Sequence, residues 1–149
     1  MADYYTHMGF TLPANEKQQR WLLKMIQRMA EGSVPKVIED RAKANEFDPD
    51  WDMVPECITS PKGLVIYSDD HVSIELVGAL IQAYLIKFHE DKCFSFMWSH
   101  TCSKPRSDGF GGGCMVITPK SLVDMDLATY AEDTMAEYDE FEPLESADL

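Results

Sequence analysis

Between His71 and His89 the apolar residues Val77, Leu80, Ile81, Tyr84 and Phe88 recur at the spacing of one helix face. Ile74, Leu85 and Ile86 widen that face beyond an ordinary amphipathic stripe, so this helix belongs at the centre of a core. Asp70 stands where an N-cap would, and Glu75 near the start with Lys87 and His89 near the end suits the helix dipole. A second helical pattern covers Glu16–Glu31, with Asn15 as cap, Gly32 as stop and Trp21, Leu22, Met25, Ile26 and Met29 as its apolar positions. Its other side carries Lys17, Arg20, Lys24 and Arg28, which read as a solvated basic face. Val37–Asn45 fits a short helix. Leu127, Tyr130, Ala131, Met135 and Tyr138 give a thin stripe to a last, acidic helix over Asp126–Glu140.

Strand patterns fill the intervals. Asp3–Leu12 is rich in Tyr, Thr and Phe and ends at Pro13, and Glu56–Ser60 and Leu64–Ser68 flank the turn Pro61-Lys62-Gly63. Phe94–Cys102 and Gly113–Thr118 flank a longer loop. Phe94, Phe96 and Trp98 alternate there with Ser95, Met97 and Ser99, which predicts one buried aromatic face. The order is strand, helix, two strands, helix, two strands, helix. It predicts an α+β fold, an antiparallel sheet of four to five strands with helices packed on one face, plus the acidic C-terminal helix. The first six elements match the split β-α-β order of ferredoxin-like folds. Residues 1–140 are expected to form a single domain and 141–149 an acidic flexible tail.

A chain of 149 residues, 45% hydrophobic, suffices for one core. Its net charge of −13 is unevenly spread: residues 121–149 hold ten acids and no Lys or Arg, while the first 120 hold the other 16 acids against all 13 bases. An acidic block of this kind repels phosphates and favours basic protein surfaces, which argues against direct nucleic-acid binding. MADYYTHMGF lacks the basic and apolar regions of a signal peptide, and Glu75, Gln82 and Lys87 interrupt the longest apolar segment. The expectation is a cytoplasmic protein without a membrane span. Cys57, Cys93, Cys102 and Cys114 form no C-x-x-C and read as reduced, small hydrophobes.

Candidate chemistry gathers in Cys93–Pro119. His100 and Cys102, two apart on a strand, share a face beside the cations Lys104 and Arg106, an arrangement that lowers a thiol pKa. No orienting group or oxyanion site completes a nucleophile, and His89, Cys93, His100, Cys102 and Cys114 lack zinc-ligand spacing. Gly111-Gly112-Gly113 matches no phosphate-loop spacing and precedes a strand, so its glycines read as backbone geometry rather than an anion cradle. Neither a cofactor nor a metal is expected. The loop Ser103–Gly113 remains as a locally basic projection on an acidic protein, with Lys104, Arg106, Asp108 and Phe110 as candidate contacts. Trp51, in the acid-rich FDPDWDMVP segment, is either a further contact or a ring anchoring its loop on the core. Glu132, Asp133, Glu137 and Asp139 supply charge from the last helix.

The stretch FMWSHTCSKPRSDGFGGGCMVIT, within Leu64–Thr118, resembles segments of small acidic uncharacterised proteins of phages and mobile elements, of the anti-CRISPR and anti-defence inhibitor type. The resemblance carries over no catalytic residue. It implies a compact, cofactor-free inhibitor that occupies a basic surface of a host nucleic-acid-handling complex. The expected function is therefore a non-enzymatic acidic binding protein. The alternatives are a small Cys/His enzyme or metal protein using His100, Cys102 and Cys114, and a homodimeric structural or regulatory protein joined through the 71–89 helix or an exposed sheet face.

Overall fold

The computed structural model describes residues 3–106 and 109–138. Its elements are β1 (Tyr4–Pro13), α1 (Glu16–Ala30), α2 (Lys36–Ala44), β2 (Glu56–Thr59), β3 (Gly63–Ser68), α3 (Ile74–Phe88), β4 (Phe94–Cys102), β5 (Gly111–Ile117), β6 (Leu122–Asp126) and α4 (Leu127–Met135). The strands form one sheet in the order β2-β3-β1-β4-β5-β6, and every neighbouring pair is antiparallel. The fold is α+β, with six strands where four to five were expected. The extra strand is β6, whose apolar Val123 and Met125 face solvent and therefore give no inward pattern to read. The first four strands keep the split β-α-β order, with β3 between β1 and β2 and β1 between β3 and β4.

Ten consecutive residues of α3, Leu76–Leu85, are buried. One side of α3 lies on the sheet and the rest is covered by α1 and α2, whose Leu22, Met25, Ile26, Met29, Ile38 and Ala42 complete the core with Leu12, Leu64, Ile66, Phe96, Met115 and Ile117 from the strands. Such a helix has no wet face, so its two polar side chains need partners. The Gln82 amide donates to the Thr118 carbonyl at 3.0 Å and accepts from Asn45 at 2.8 Å, tying α3 to the end of α2 and to the end of β5. The Tyr84 hydroxyl donates to the Pro13 carbonyl at 2.6 Å and lies 3.0 Å from His89 Nε2. Gln19 does similar service for α1: its amide donates to the carbonyls of Ala14 and Ser60, clamping the helix start to the β2–β3 turn.

Local signals set most helix ends. Asn15 caps α1 through a reciprocal pair with Gln18. The cap of α3 is Ser73, whose hydroxyl accepts from the Leu76 N–H, and not Asp70. Asp70 lies in a bend after β3, where its carbonyl accepts from the Thr6 N–H at 2.7 Å and is not free to accept a first helical bond. Its carboxylate instead accepts from the His71 N–H. Among the described residues no helix is long and apolar enough to cross a membrane.

Two titrating groups report on this packing. Burial raises the Tyr84 hydroxyl from 10.0 to about 12. A group raised in the fold contributes stability that is intact below its unfolded value and is lost above it. Alkaline unfolding of the wild type is thus expected to carry a component between about pH 10 and 12 that Tyr84→Phe abolishes, measured as the urea midpoint against pH. Glu75 is held above the ordinary carboxylate range, first by burial and then by Asp124 and Asp48, with the Asp48 backbone N–H opposing. Its ionisation consequently costs stability at neutral pH. Glu75→Gln is expected to raise Tm at pH 7 by on the order of 1–2 °C, with the gain shrinking as pH falls through the carboxylate range.

Candidate functional site

The β4–β5 hairpin ends in a cleft of about 440 Å³ where six parts of the chain meet. Tyr4 and Tyr5 come from β1, Met53 from the segment before β2, His71 from the segment leading into α3, His100 from β4, and Phe110 from the loop before β5; Asp126 and Ala128 close the side at the start of α4. The hairpin loop is fastened where it leaves β4. Ser103 N–H donates to the Asp3 carbonyl at 2.8 Å, and the Ser103 hydroxyl accepts from the Asp3 N–H at 2.8 Å. The His100 ring is held by Thr6, with Nδ1 3.1 Å from its Oγ1.

All three glycines of the Gly-Gly-Gly run lie in β5, two of them earlier than the strand start read from the sequence. Gly111 and Gly112 pair with His100 and Ser99. The backbone-geometry reading of these residues has a specific content. Gly112 adopts φ +157°, and a side chain there would collide with the Trp98 carbonyl. Gly113 lies under the Trp98 ring, close enough that a side chain would strike both the ring and the Met125 carbonyl. The glycines thus let β5 run tightly between β4 and β6 while Trp98 lies flat across it.

Of the contacts read from the loop, Lys104 is exposed, Arg106 is half-buried and Phe110 is exposed at the mouth of the cleft. Asp108 lies outside the described residues. Trp51 is half-buried and packs against the core, while its near neighbour Met53 lines the cleft. Glu132, Asp133 and Glu137 are exposed on α4 or just past it, and Asp139 falls outside the described residues with the 141–149 tail. The fold therefore brings two predicted parts together, the loop through Phe110 and the acidic helix through its first turn. Sequence reading had no means to join them, because the joint runs through β6.

The Cys/His constellation does not assemble. Cys114 stands opposite Met97 on the outer side of the sheet, whereas His100 and Cys102 fall on the strand positions shared with Phe96 and Trp98, facing the helices. Cys102 is further covered by Gly109, which approaches its side chain so closely that a Cβ on that glycine would overlap it. Among the described residues no three His, Cys, Asp or Glu side chains are placed to hold a metal ion.

The helix α4 completes this region and is unlike the other three. None of its residues is buried. Asp126 caps it by accepting from the Thr129 N–H at 3.1 Å. Leu127, Tyr130 and Met135 are about half exposed, and Tyr138, one turn on, is more exposed still. At 100° per residue these apolar positions share one arc, and Glu132, Asp133 and Glu137 occupy the rest.

Set beside known protein families, curated proteins and solved structures, the chain matches none of them.

The glycine geometry has a direct consequence for stability. Gly112→Ala is expected to lower unfolding free energy by roughly 1–3 kcal/mol, read from the urea midpoint, because both its φ and the Trp98 carbonyl oppose a Cβ.

Proposed function

We propose that this chain is a non-enzymatic binding protein whose docking element is α4, presented beside the Phe110 cleft to a basic surface of a partner. The observation that carries the reading is an amphipathic, acidic helix with no buried residue. An isolated helix of nine residues gains too little from its own hydrogen bonds to persist without packing, and one that keeps Leu127, Tyr130 and Met135 in water has an apolar stripe still to bury. Laying that stripe into a groove is a recurrent mode of protein recognition. Acids flanking the stripe steer the encounter with a positive surface and discourage nucleic acid itself. Phe110, exposed next to the start of the helix, extends the contact as a second apolar anchor.

The partner class follows from the charge and from the resemblance of the hairpin stretch to mobile-element inhibitors. A broad basic surface matched to a block of ten acids is the surface a nucleic-acid-handling complex uses for phosphate. Occupying it would inhibit the complex, so the reading is of an inhibitor of a host defence complex that competes with nucleic acid by charge and anchors by aromatic contact.

The test is affinity capture from host-cell lysate at about 50 mM and about 500 mM salt, followed by binding kinetics with the captured complex. Replacing Glu132, Asp133, Glu137 and Asp139 with their amides is expected to slow association about tenfold at low salt and to flatten its salt dependence. Tyr130→Ala is expected to act on dissociation, weakening the complex about tenfold or more at either salt. Capture that is indifferent to salt and to both sets of changes would remove α4 as the docking element.

A further inference from the structure

We propose that the outer face of the sheet is a homodimer interface, in which two copies pack sheet against sheet with their helices outward. Among the described residues, α1, α2 and α3 all pack on one side of the sheet. On the other, Ile58, Met97, Val116, Val123 and Met125 are 44–75% exposed, spread over β2, β4, β5 and β6. A solvent-facing sheet side ordinarily alternates apolar inward with charged or polar outward. Here Glu56, on the short edge strand β2, is the one Asp, Glu, Lys or Arg among the outward positions of all six strands. His7, the one titrating ring on this face besides tyrosines, is tied to Thr101 at 2.8 Å. A broad surface with one charge at its edge is improbable by composition alone in a chain with 26 acids and 13 bases.

An independent observation lies at the middle of this face. Gly9 sits in β1, between β3 and β4, and glycine weakens a strand interior unless something approaches closely. Nothing among the described residues supplies that reason. Gly9 is not among the positive-φ residues, and a Cβ there would meet Tyr67 Cβ at an ordinary 3.9 Å. The missing side chain instead leaves the surface low between His7, Met97 and Ser99. Beside it Met97 is the most exposed apolar side chain on the face. In a two-fold pairing each contact occurs twice, so the Met97 of each copy can settle on the low surface over Gly9 of the other. Methionine is suited to this because its unbranched, polarisable chain adapts to an opposing surface.

The charge pattern selects a second copy as occupant. Two molecules of net charge −13 repel overall, and on this face, where Glu56 at the edge is the one charged strand position, two copies can meet with little opposition of like charges. Its size is adequate. Six strands about 4.8 Å apart, with about five residues each, make a patch roughly 25 Å by 17 Å, which with side-chain relief buries on the order of 1,000 Å² over both copies. That reaches the lower bound for a specific interface. The inference is independent of whether α4 docks on a partner.

Sedimentation equilibrium between about 1 and 100 μM tests it. The wild type is expected to reach twice the chain mass, and added salt is expected to strengthen association or leave it unchanged, since it screens only the mutual repulsion. Met97→Lys and Gly9→Thr are each expected to weaken the dimer at least tenfold with unchanged circular dichroism. Gly9→Thr, as a monomer, should unfold no more easily than the wild type at the same dilution, because threonine suits an exposed strand. A wild type that stays monomeric throughout overturns the proposal, as does a dimer that survives both substitutions. Association that salt abolishes would also overturn it by pointing to a charged contact such as α4 against the basic side of α1. So would dimerisation gained only by a chain ending at Tyr138, which would make residues 139–149 the natural cover of this face.

Discussion

The burial of α3 against the sheet is the constraint on which the other features depend. Ten successive residues without solvent contact cannot be served by one sheet face, so α1 and α2 must cover the rest. That commits all three of these helices to the same side of the sheet. It also commits the polar groups that bridge them: Gln82, Tyr84 and Gln19 each reach across to a backbone carbonyl on another element, which makes the helix layer and the strands one cooperative unit. Two parts of the chain are left outside it, the outer sheet face and α4.

Those two parts differ in chemistry, and the difference underlies the two proposals. The outer face exposes Ile58, Met97, Val116, Val123 and Met125 among neutral polar side chains, with Glu56 at its edge the one charged strand position, a surface suited to meeting a like molecule. The C-terminal helix is apolar on one arc and acidic on the rest, suited to an oppositely charged surface. They adjoin at the β5–β6 end, where Gly112 and Gly113 let the strand pass under Trp98 and bring the loop carrying Phe110 beside the first turn of α4. The Cys93–Pro119 region is therefore important through shape. Its cysteines are distributed over both sheet faces, and its glycines serve strand packing.

Much of the fold was legible because its signals are local. Asn15 and Gln18 announce α1, the wide apolar face between Val77 and Phe88 announces a central helix, and the alternation from Phe94 to Trp98 announces which side of β4 is buried. What escaped was decided at a distance. Asp70 resembles a cap, but its carbonyl is taken by the Thr6 N–H of β1, and the cap falls to Ser73. The β6 strand was missed because its apolar residues point outward, the reverse of the rule used to find strands. For the candidate site, sequence found Phe110 and the acids of α4 separately. The meeting of Phe110 with the first turn of α4, and the low surface over Gly9, exist only once β1, β4, β5 and β6 are placed side by side.

The central claim is that α1, α2, α3 and the sheet form one packed core to which α4, with no buried residue, does not belong. Amide hydrogen exchange measured residue by residue on the isolated protein tests it most directly. Amides of α3 and of the central strands β1 and β4 should exchange only through global unfolding, whereas those of Leu127–Met135 should exchange within a few tens of the unprotected rate. Protection of α4 comparable to that of α3 would contradict the account, because it would mean that this helix is already held by the chain to which it belongs.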